Sequence, residues 1–313
     1  MLLKSADDKD NQLKILKNLL SHEKILPGKK QLIDKELRNL ETGIATEKQA
    51  AYELDFYFGP SPKAIILHDL RLEINGRVAQ IDHLIFTRLF EVYVLETKTF
   101  STGLTIYSAG EFSTLYDGKE IGIPSPIEQN SRHVAVLRDA FKSIGLPRRL
   151  GVPIMPSFVP VVLVSPKAVI TRTESKVVDI TSVIKLDQFM SWYRNKLDNP
   201  LRPKDFIDIL KASSFDTIKG LAEKLVALHT PCRIDYIRRF NLTETLLKAK
   251  AEPDTTPRVN QFASTKPVLS THPTTSFCNS CNIPIADVVA KFCLGNFRRF
   301  KGHTYCRPCQ AKH

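Results

Sequence analysis

The sequence predicts a mixed α/β or α+β fold, with a central sheet flanked by helices and a small cysteine-rich module after it. Apolar residues recur at helical spacing before residue 60, and apolar runs of strand length follow between residues 63 and 166. Five of the six cysteines lie after residue 277. A chain of 313 residues, 42% of them hydrophobic, is long enough to bury a large core.

The first half of the large domain is predicted as helices followed by a three-stranded meander. Helical spacing covers residues 7–26 and 30–58, with Thr42 as a plausible cap of a helix that ends at residue 58. Asn75-Gly76 marks a tight turn between two apolar runs, and a third run follows. The strands are predicted over 63–76, 77–86 and 91–100. They pair best as an antiparallel meander.

The second half adds one helix, one fully buried strand and further helical material. A helix is predicted over 127–145, with Pro126 in its first turn. The continuous apolar run over 159–166 predicts a strand that is buried on both faces. A short strand and helices carry the domain to about residue 245. Residues 249–275 lack periodicity and are rich in Pro, Thr and Ser, so they favour a flexible linker.

Charge and composition restrict the class of partner. The 45 Lys and Arg exceed the 33 Asp and Glu, which gives a formal net charge of +12 and a pI of about 9.4. This surplus favours polyanionic partners, although a basic surface that keeps the protein soluble explains it equally well. The acidic start and the short apolar runs predict a cytoplasmic protein with no membrane partner.

Three charged residues lie inside the second and third strands of the meander. If their turn is centred on Leu89, Asp82 lies opposite Glu96, and Lys98 points to the same face. Both faces of this hairpin are apolar, and two facing carboxylates are costly to bury without a positive partner. Carboxylate oxygens suit a hard cation such as Mg²⁺. An ion pair of Lys98 with either carboxylate is the structural alternative.

This arrangement is typical of phosphodiester hydrolysis. A bound cation can polarise a phosphate and activate water, and the ammonium of Lys98 can stabilise developing negative charge. Motifs of serine hydrolases and of nucleotide-binding loops do not occur in the sequence.

Four short motifs resemble the nuclease-related domain (NERD), a branch of the PD-(D/E)xK nuclease superfamily. They are GIATE ending at Glu47, IDH with Asp82, ETK from Glu96 to Lys98, and SPIEQN with Gln129. The resemblance implies a restriction-endonuclease-like core, a bacterial origin and Mg²⁺ or Mn²⁺ as cofactor. This sequence departs from the family at the turn, where Arg88-Leu89-Phe90 lacks the usual Gly, and a wider turn would alter the register.

The resemblance also implies a role for each matching residue. Asp82 and Glu96 would be the metal ligands, with the backbone carbonyl of Thr97 as a further contact. Lys98 would be the catalytic lysine. Glu47 would bind the metal directly or through water, and Gln129 would orient water or phosphate. Without the resemblance, the sequence pattern is also compatible with Glu47 as an exposed helix residue and with Gln129 as an ordinary residue in the first turn of its helix.

Two histidines lie close to these motifs. His83 points away from Asp82 and is interpreted as a satisfied structural histidine. His133 is one helical turn after Gln129 and could therefore reach the substrate, but surface exposure is the favoured interpretation for it.

The resemblance and the composition together divide the chain. The predicted parts are a helical N-terminal extension (1–39), the nuclease-related domain (40–165), a helical C-terminal part of the core (166–248), the linker (249–275) and a zinc-ribbon-like module (276–313).

The module carries two Cys-x-x-Cys knuckles. Four thiolates at this spacing predict a tetrahedral Zn²⁺ site that supplies folding energy to a segment too small to bury a core. The predicted ligands are Cys278, Cys281, Cys306 and Cys309. Cys293 lies between the knuckles and is interpreted as a packed thiol.

Basic and aromatic residues surround the second knuckle. Basic side chains contact phosphates while aromatic rings stack on bases, so the module is expected to hold nucleic acid, although a protein partner remains open. The predicted contacts are Arg298, Arg299, Lys301 and Arg307.

The leading hypothesis is therefore a metal-dependent nuclease or DNA-processing protein whose zinc ribbon helps to hold the substrate. The alternatives are a nucleic-acid-binding protein with an inactive nuclease fold, and a scaffold whose zinc ribbon binds protein.

Overall fold

A computed structural model describes residues 1–100, 102–174, 179–198, 213–242, 276–281, 283–300 and 303–310. The chain divides into two compact units, Met1–Ala251 and Glu252–His313. The predicted linker (249–275) lies outside the described residues. Each unit is described by itself.

The first unit begins with a short strand and two helices, and strands and helices follow. The helices are α1 (Asp10–Ser21), α2 (Pro27–Phe58), α3 (Pro126–Ile144), α4 (Phe189–Asp198), α5 (Phe215–Ala227) and α6 (Tyr236–Arg239), with 3₁₀ turns at Ile180–Ser182 and Leu186–Gln188. The strands are β1 (Leu2–Lys4), β2 (Ala64–Ile74), β3 (Arg77–Thr87), β4 (Glu91–Lys98), β5 (Leu104–Ile106), β6 (Phe112–Tyr116), β7 (Lys119–Ile123), β8 (Arg148–Arg149), β9 (Val152–Pro153), β10 (Ser157–Val164), β11 (Ile170–Arg172) and β12 (Val183–Lys185).

The central sheet has the order β1-β2-β3-β4-β10-β12. Strands β2, β3 and β4 form the predicted antiparallel meander, whereas β1, β10 and β12 pair in parallel with their neighbours. At the β2–β3 turn, Asn75 (φ 51°) and Gly76 (φ 72°) both take the left-handed conformation that a two-residue hairpin requires. The mixed sheet flanked by helices confirms the predicted fold class.

Helices cover the sheet on both faces. On one face, α3 and α5 bury Leu84, Phe86, Val92 and Val94. On the other, α2 and α4 pack against strand residues that include Ile85, Tyr93 and Leu95. Because successive strand residues point to opposite faces, both apolar sets of the hairpin are used, as the sequence predicted.

The structure differs from the sequence-based expectations in three places. Residues 2–4 form an edge strand of the central sheet, which was not predicted. The polar stretch after β4 forms a second sheet with the order β11-β5-β6-β7, whose apolar side packs on β10. Thr42 lies inside α2, so its prediction as a cap was wrong; the helix continues through Thr42 and Gly43 because no proline follows Pro27 before Phe58.

The second unit contains short elements around its cysteines. A two-stranded hairpin is formed by β13 (Ser276–Phe277) and β14 (Pro284–Ile285). The helices are α7 (Asp287–Gly295), α8 (Phe297–Phe300) and α9 (Arg307–Gln310). The described core is small and consists largely of cysteines, with Ile285 and Ala290.

Candidate active site

The β3–β4 hairpin sets the geometry of the site. Its ladder pairs His83 with Leu95 and Phe86 with Val92, and the same register places Asp82 opposite Glu96. Phe90 takes the left-handed conformation (φ 59°), and its N–H donates to the carbonyl of Thr87 at 3.0 Å. Phe90 thus does in this turn what a glycine would do, so the turn is not widened.

Asp82 is held by the neighbouring strand. Its Oδ2 accepts hydrogen bonds from the backbone N–H of Thr97 at 2.7 Å and from the Thr97 hydroxyl at 2.6 Å. Burial, together with the negative charges of Glu96 and Glu47, nevertheless raises the pKa of Asp82 to about 8. The two hydrogen bonds from Thr97 therefore do not outweigh burial and the neighbouring negative charges at Asp82.

Glu96 is buried and is surrounded by donors. Its Oε1 accepts from Lys98 Nζ at 2.7 Å and from Gln129 Nε2 at 2.7 Å. His133 Nδ1 lies 3.3 Å from Oε2. Burial favours the neutral acid, but the interactions with His133 and Lys98 outweigh it and lower the pKa of Glu96. Glu96 is therefore ionised at neutral pH.

Glu47 approaches from α2 and carries its own counter-charge. Lys9 Nζ lies 2.6 Å from Glu47 Oε2 and 3.4 Å from Asp69 Oδ2. Burial raises the pKa of Glu47 despite the opposing effect of Lys9, and the charge of Asp69 adds to the rise. Glu47 is therefore not the exposed helix residue that its pattern alone allows.

Asp69 leaves the β2–β3 ladder at the site. The ladder pairs His68 with His83 and Leu70 with Ile81, which places Asp69 opposite Asp82. Asp69 has a φ of 53°, however, and does not form a ladder pair with Asp82. Its Oδ1 accepts from Gln80 Nε2 at 3.0 Å. The conformation is uncommon for a residue other than glycine, and such outliers tend to cluster at functional sites.

A cleft of about 240 Å³ lies beside Glu47, Asp69 and Asp82, and Glu96 is not among the residues that line it. Acidic and basic residues of the N-terminal segment, α2, β2 and β3 line it, among them Lys9, Glu47, Asp69, Asp82 and His83.

The comparison with protein families agrees with this geometry. Residues 42–171 match the family model described as the nuclease-related domain. This part of the chain is a nuclease-related domain. The match includes Glu47, the β3–β4 hairpin and Gln129. Searches of curated proteins and of solved structures found no match.

Within the NERD domain, the five residues predicted to be catalytic lie on four elements around the end of one hairpin. Glu96 contacts Lys98 and Gln129 directly, and Asp82 faces Glu96 in register. Glu47 influences Asp82 and Glu96 by its charge, while its direct contact is to Lys9. Thr97 contacts Asp82 through its N–H and hydroxyl; the role of its carbonyl stays a prediction.

The donor set of the NERD site fits a hard divalent cation. Buried Glu96 Oε2 lies 3.3 Å from His133 Nδ1 but forms no hydrogen bond with the described residues. Burial and the negative charges of Glu96 and Glu47 raise the pKa of Asp82, so a cation would favour its ionised form. Within the described ranges, however, only the four cysteines bring three or more ligand atoms within 4.8 Å of one another. Two carboxylates and water are enough for Mg²⁺, so Asp82 and Glu96 can serve with Glu47 at longer range.

Sequence reasoning missed or misjudged several residues of the site. His133 is buried at 8% exposure and faces Glu96, so its predicted surface position was wrong. His83 is not fully satisfied, because its Nε2 is buried without a hydrogen-bond partner among the described residues. Lys9 and Asp69 were not predicted at all. For His133, the spacing of four residues from Gln129 was the available signal; Lys9 has no local signal.

The cysteines of the second unit form a separate site. The sulfurs of Cys278, Cys281, Cys306 and Cys309 lie within 4.8 Å of one another. The Sγ atom of Cys281 is 3.6 Å from that of Cys306 and 3.7 Å from that of Cys309. Zn–S bonds of about 2.3 Å in a tetrahedron require sulfurs at roughly this separation. The cluster is compatible with zinc.

Cys293 lies outside that cluster. It is fully buried, and its sulfur accepts from the N–H of Tyr305 at 3.4 Å and from Gln310 Nε2 at 3.3 Å. These contacts agree with the interpretation of Cys293 as a packed thiol.

The predicted nucleic-acid contacts are only partly described. Arg299 is exposed, lies 5.0 Å from the centre of the Phe300 ring and donates to the Gln310 carbonyl. Arg307 is exposed as well. The side chain of Arg298 and the whole of Lys301 lie outside the described residues. In the described part of the chain, every helix is too short or too polar to span a bilayer.

Proposed function

We propose that this protein is a metal-dependent phosphodiesterase that cuts nucleic acid, with DNA as the favoured substrate. The observation that carries the proposal is the register of the β3–β4 hairpin, which sets Asp82 opposite Glu96 beside Lys98. The expectation of a cytoplasmic, bacterial DNA-processing protein is part of this proposal. Asp82 and Glu96 would hold Mg²⁺ or Mn²⁺, with the carbonyl of Thr97 and, at longer range, Glu47.

The reaction is the hydrolysis of a phosphodiester. Water adds to phosphorus and one P–O bond breaks, which leaves a phosphate monoester and a free hydroxyl. The bound cation would supply Lewis-acid polarisation of the phosphate. Lys98 Nζ, 2.7 Å from Glu96 Oε1, is placed to stabilise the negative charge that develops on the phosphate oxygens.

The neighbouring helix α3 positions Glu96. Gln129 Nε2 donates to Oε1, and His133 lies against Oε2, so the carboxylate is oriented from two sides. Asn130, between them, donates through Nδ2 to the carbonyls of Val94 and Val161, which fixes the helix to β4 and β10. A rigidly held carboxylate suits a catalytic site because little reorganisation is needed during the reaction.

The second unit would hold the substrate. Zn²⁺ on the four cysteines would fold it, and Arg298, Arg299, Lys301 and Arg307 would contact phosphates. Such contacts are sensitive to salt and largely independent of sequence.

One observation favours a second candidate, a nucleic-acid-binding protein without turnover. Lys98 already pairs with Glu96, and Lys9 already pairs with Glu47. Two of the acidic groups thus have internal counter-charges. A scaffold whose zinc ribbon binds protein is the third candidate, and absence of nucleic-acid affinity at moderate salt would favour it.

Cleavage by wild type and Lys98→Ala tests the proposal. The panel comprises linear duplex, supercoiled plasmid, single strands, branched DNA and RNA, each with Mg²⁺ or Mn²⁺. We expect metal-dependent cleavage that falls by about 10²-fold or more in Lys98→Ala, because a charge-stabilising donor is lost. Lys142→Ala is the matched control, since Lys142 is exposed and its ion pair among the described residues is with Asp139. Binding without cleavage on every substrate would favour the second candidate.

A further inference from the structure

Lys9 has contacts that the proposed reaction does not use. Its side chain is only 13% exposed, and its ammonium contacts Glu47 Oε2 at 2.6 Å and Asp69 Oδ2 at 3.4 Å. His83 lines the same cleft as Lys9, Glu47 and Asp69. Two carboxylates therefore contact one ammonium, and an imidazole lines the cleft beside them.

The chain segment that carries Lys9 is fixed on the central sheet. Strand β1 pairs in parallel with β2, and Lys4 Nζ donates to the carbonyls of His68 and Asp69 at 3.1 and 2.9 Å. The N–H of Asp7 donates to Asp69 Oδ2 at 3.3 Å. These contacts fix the segment that carries Lys9 next to Asp69, the residue of β2 that does not pair with β3.

Hydrogen bonds also determine the state of His83. His68 Nε2 faces Asp55 Oδ1 at 3.1 Å, so the neutral ring of His68 carries its proton there. His68 Nδ1 then accepts from His83 Nδ1–H at 2.7 Å. The neutral ring of His83 is consequently left with an unprotonated Nε2, which has no partner among the described residues. This nitrogen belongs to a residue that lines the cleft.

We propose that the ammonium of Lys9 takes the place of a second divalent cation between Glu47 and Asp69, in a cleft that His83 also lines. A lysine ammonium is a compact point charge with the sign that this donor set requires. Carboxylate oxygen and imidazole nitrogen are together the donors that suit Mn²⁺ and related ions. The nuclease-related site would then bind one exchangeable ion, next to a cation that is built into the chain.

The inference rests on the proposed function in one respect, because it takes Asp82 and Glu96 to hold the exchangeable ion. It adds a residue from outside the matched segment, since Lys9 precedes residue 42. It also makes a specific claim about metal stoichiometry. Removing the ammonium should open a subsite that a divalent ion can occupy.

Counting bound Mn²⁺ on the full-length protein tests this claim. Electron paramagnetic resonance and calorimetric titration would be used on zinc-loaded wild type, Lys9→Met, Lys9→Arg, Lys9→Met/Asp69→Asn and Asp82→Asn. We expect one Mn²⁺ in wild type and in Lys9→Arg, and a second in Lys9→Met. The second ion should disappear in Lys9→Met/Asp69→Asn, because one carboxylate of the subsite is gone.

The outcomes separate the two proposals. Loss of the wild-type ion in Asp82→Asn supports the proposed metal site, and its retention contradicts that site. Equal Mn²⁺ counts in wild type and Lys9→Met overturn the present inference whatever Asp82→Asn shows. If Lys9→Met does not fold in the absence of metal, Mn²⁺ should restore a cooperative unfolding transition, and failure to restore it also overturns the inference.

Discussion

The two candidate metal sites differ in how far the protein alone assembles them. In the second unit, four sulfurs already lie within 4.8 Å of one another. In the first unit, Asp82 and Glu96 face each other on a sheet whose core is complete, and lysines contact Glu96 and Glu47. The difference indicates that zinc would hold the second unit together, whereas under the proposed function the first unit would bind an exchangeable ion at a site that is already folded.

Removal of metal should produce the largest difference between the two units. We expect a strong chelator to abolish ordered structure in residues 276–310 and to leave the first unit folded, because zinc modules gain about 10–16 kcal/mol from their metal. Hydrogen exchange measured by mass spectrometry, together with zinc analysis, follows both units at once.

The matched variants for that experiment are Cys281→Ser and Cys232→Ser. Cys281 belongs to the cluster, while Cys232 stands outside it in the first unit. Only Cys281→Ser should lose zinc and protection. Unchanged protection of residues 276–310 after complete zinc removal would show that the second unit folds without metal.

The stability of the first unit should depend on pH through the ionisation of Asp82. The pKa of Asp82 is raised from 3.8 to about 8, so between these values the folded protein binds more protons than the unfolded chain. Wild type should therefore lose stability relative to Asp82→Asn as the pH rises through this window. Below pH 3.8 both states are protonated, and above about 8 both are ionised, so the difference should be constant there.

Thermal unfolding of wild type and Asp82→Asn across this pH range checks the expectation. For a unit of this size, each kcal/mol corresponds to roughly 2–4 °C in Tm. Mg²⁺ should reverse the trend in wild type, since a cation favours the ionised carboxylate. Parallel pH profiles of the two proteins without metal would contradict the raised pKa.

The hairpin was accessible to sequence reasoning because its information is local. Alternation of apolar residues and a short turn place Asp82 opposite Glu96. The order of the four motifs that resemble the nuclease-related domain assigns Gln129 to the same site. Lys9 and Asp69 were not accessible in this way. Their meeting depends on the parallel pairing of β1 with β2 and on one left-handed residue within β2, and neither leaves a periodic signal.

Two further differences between expectation and structure also depend on contacts between distant parts of the chain. His133 was predicted on the surface because a lone histidine on a helix is usually solvated, yet α3 packs its His133 face on the sheet. The second sheet was read as a polar stretch because its strands have only three to five residues each. Tertiary packing determines both features, so local pattern is a weak guide to them.

The smallest expected effect concerns the start of α3. The hydroxyl of Ser125 accepts a hydrogen bond from the N–H of Glu128 at 3.2 Å and caps the helix that carries Gln129. Ser125→Ala should cost about 1 kcal/mol of unfolding free energy, which is the usual value of such a cap. Chemical denaturation measures this loss, and Ser125→Asp, which keeps an acceptor, should restore most of it.

Cleavage assays of wild type and Ser125→Ala then test whether activity depends on the cap of α3. Asn130 also anchors α3, through the carbonyls of Val94 and Val161, so loss of the cap alone should displace Gln129 little. Activity of Ser125→Ala should therefore stay within about threefold of wild type, because the buried anchor at Asn130 still fixes the helix. A loss as large as that of Lys98→Ala would mean that the first turn of α3, rather than the buried anchor, positions Gln129 against Glu96.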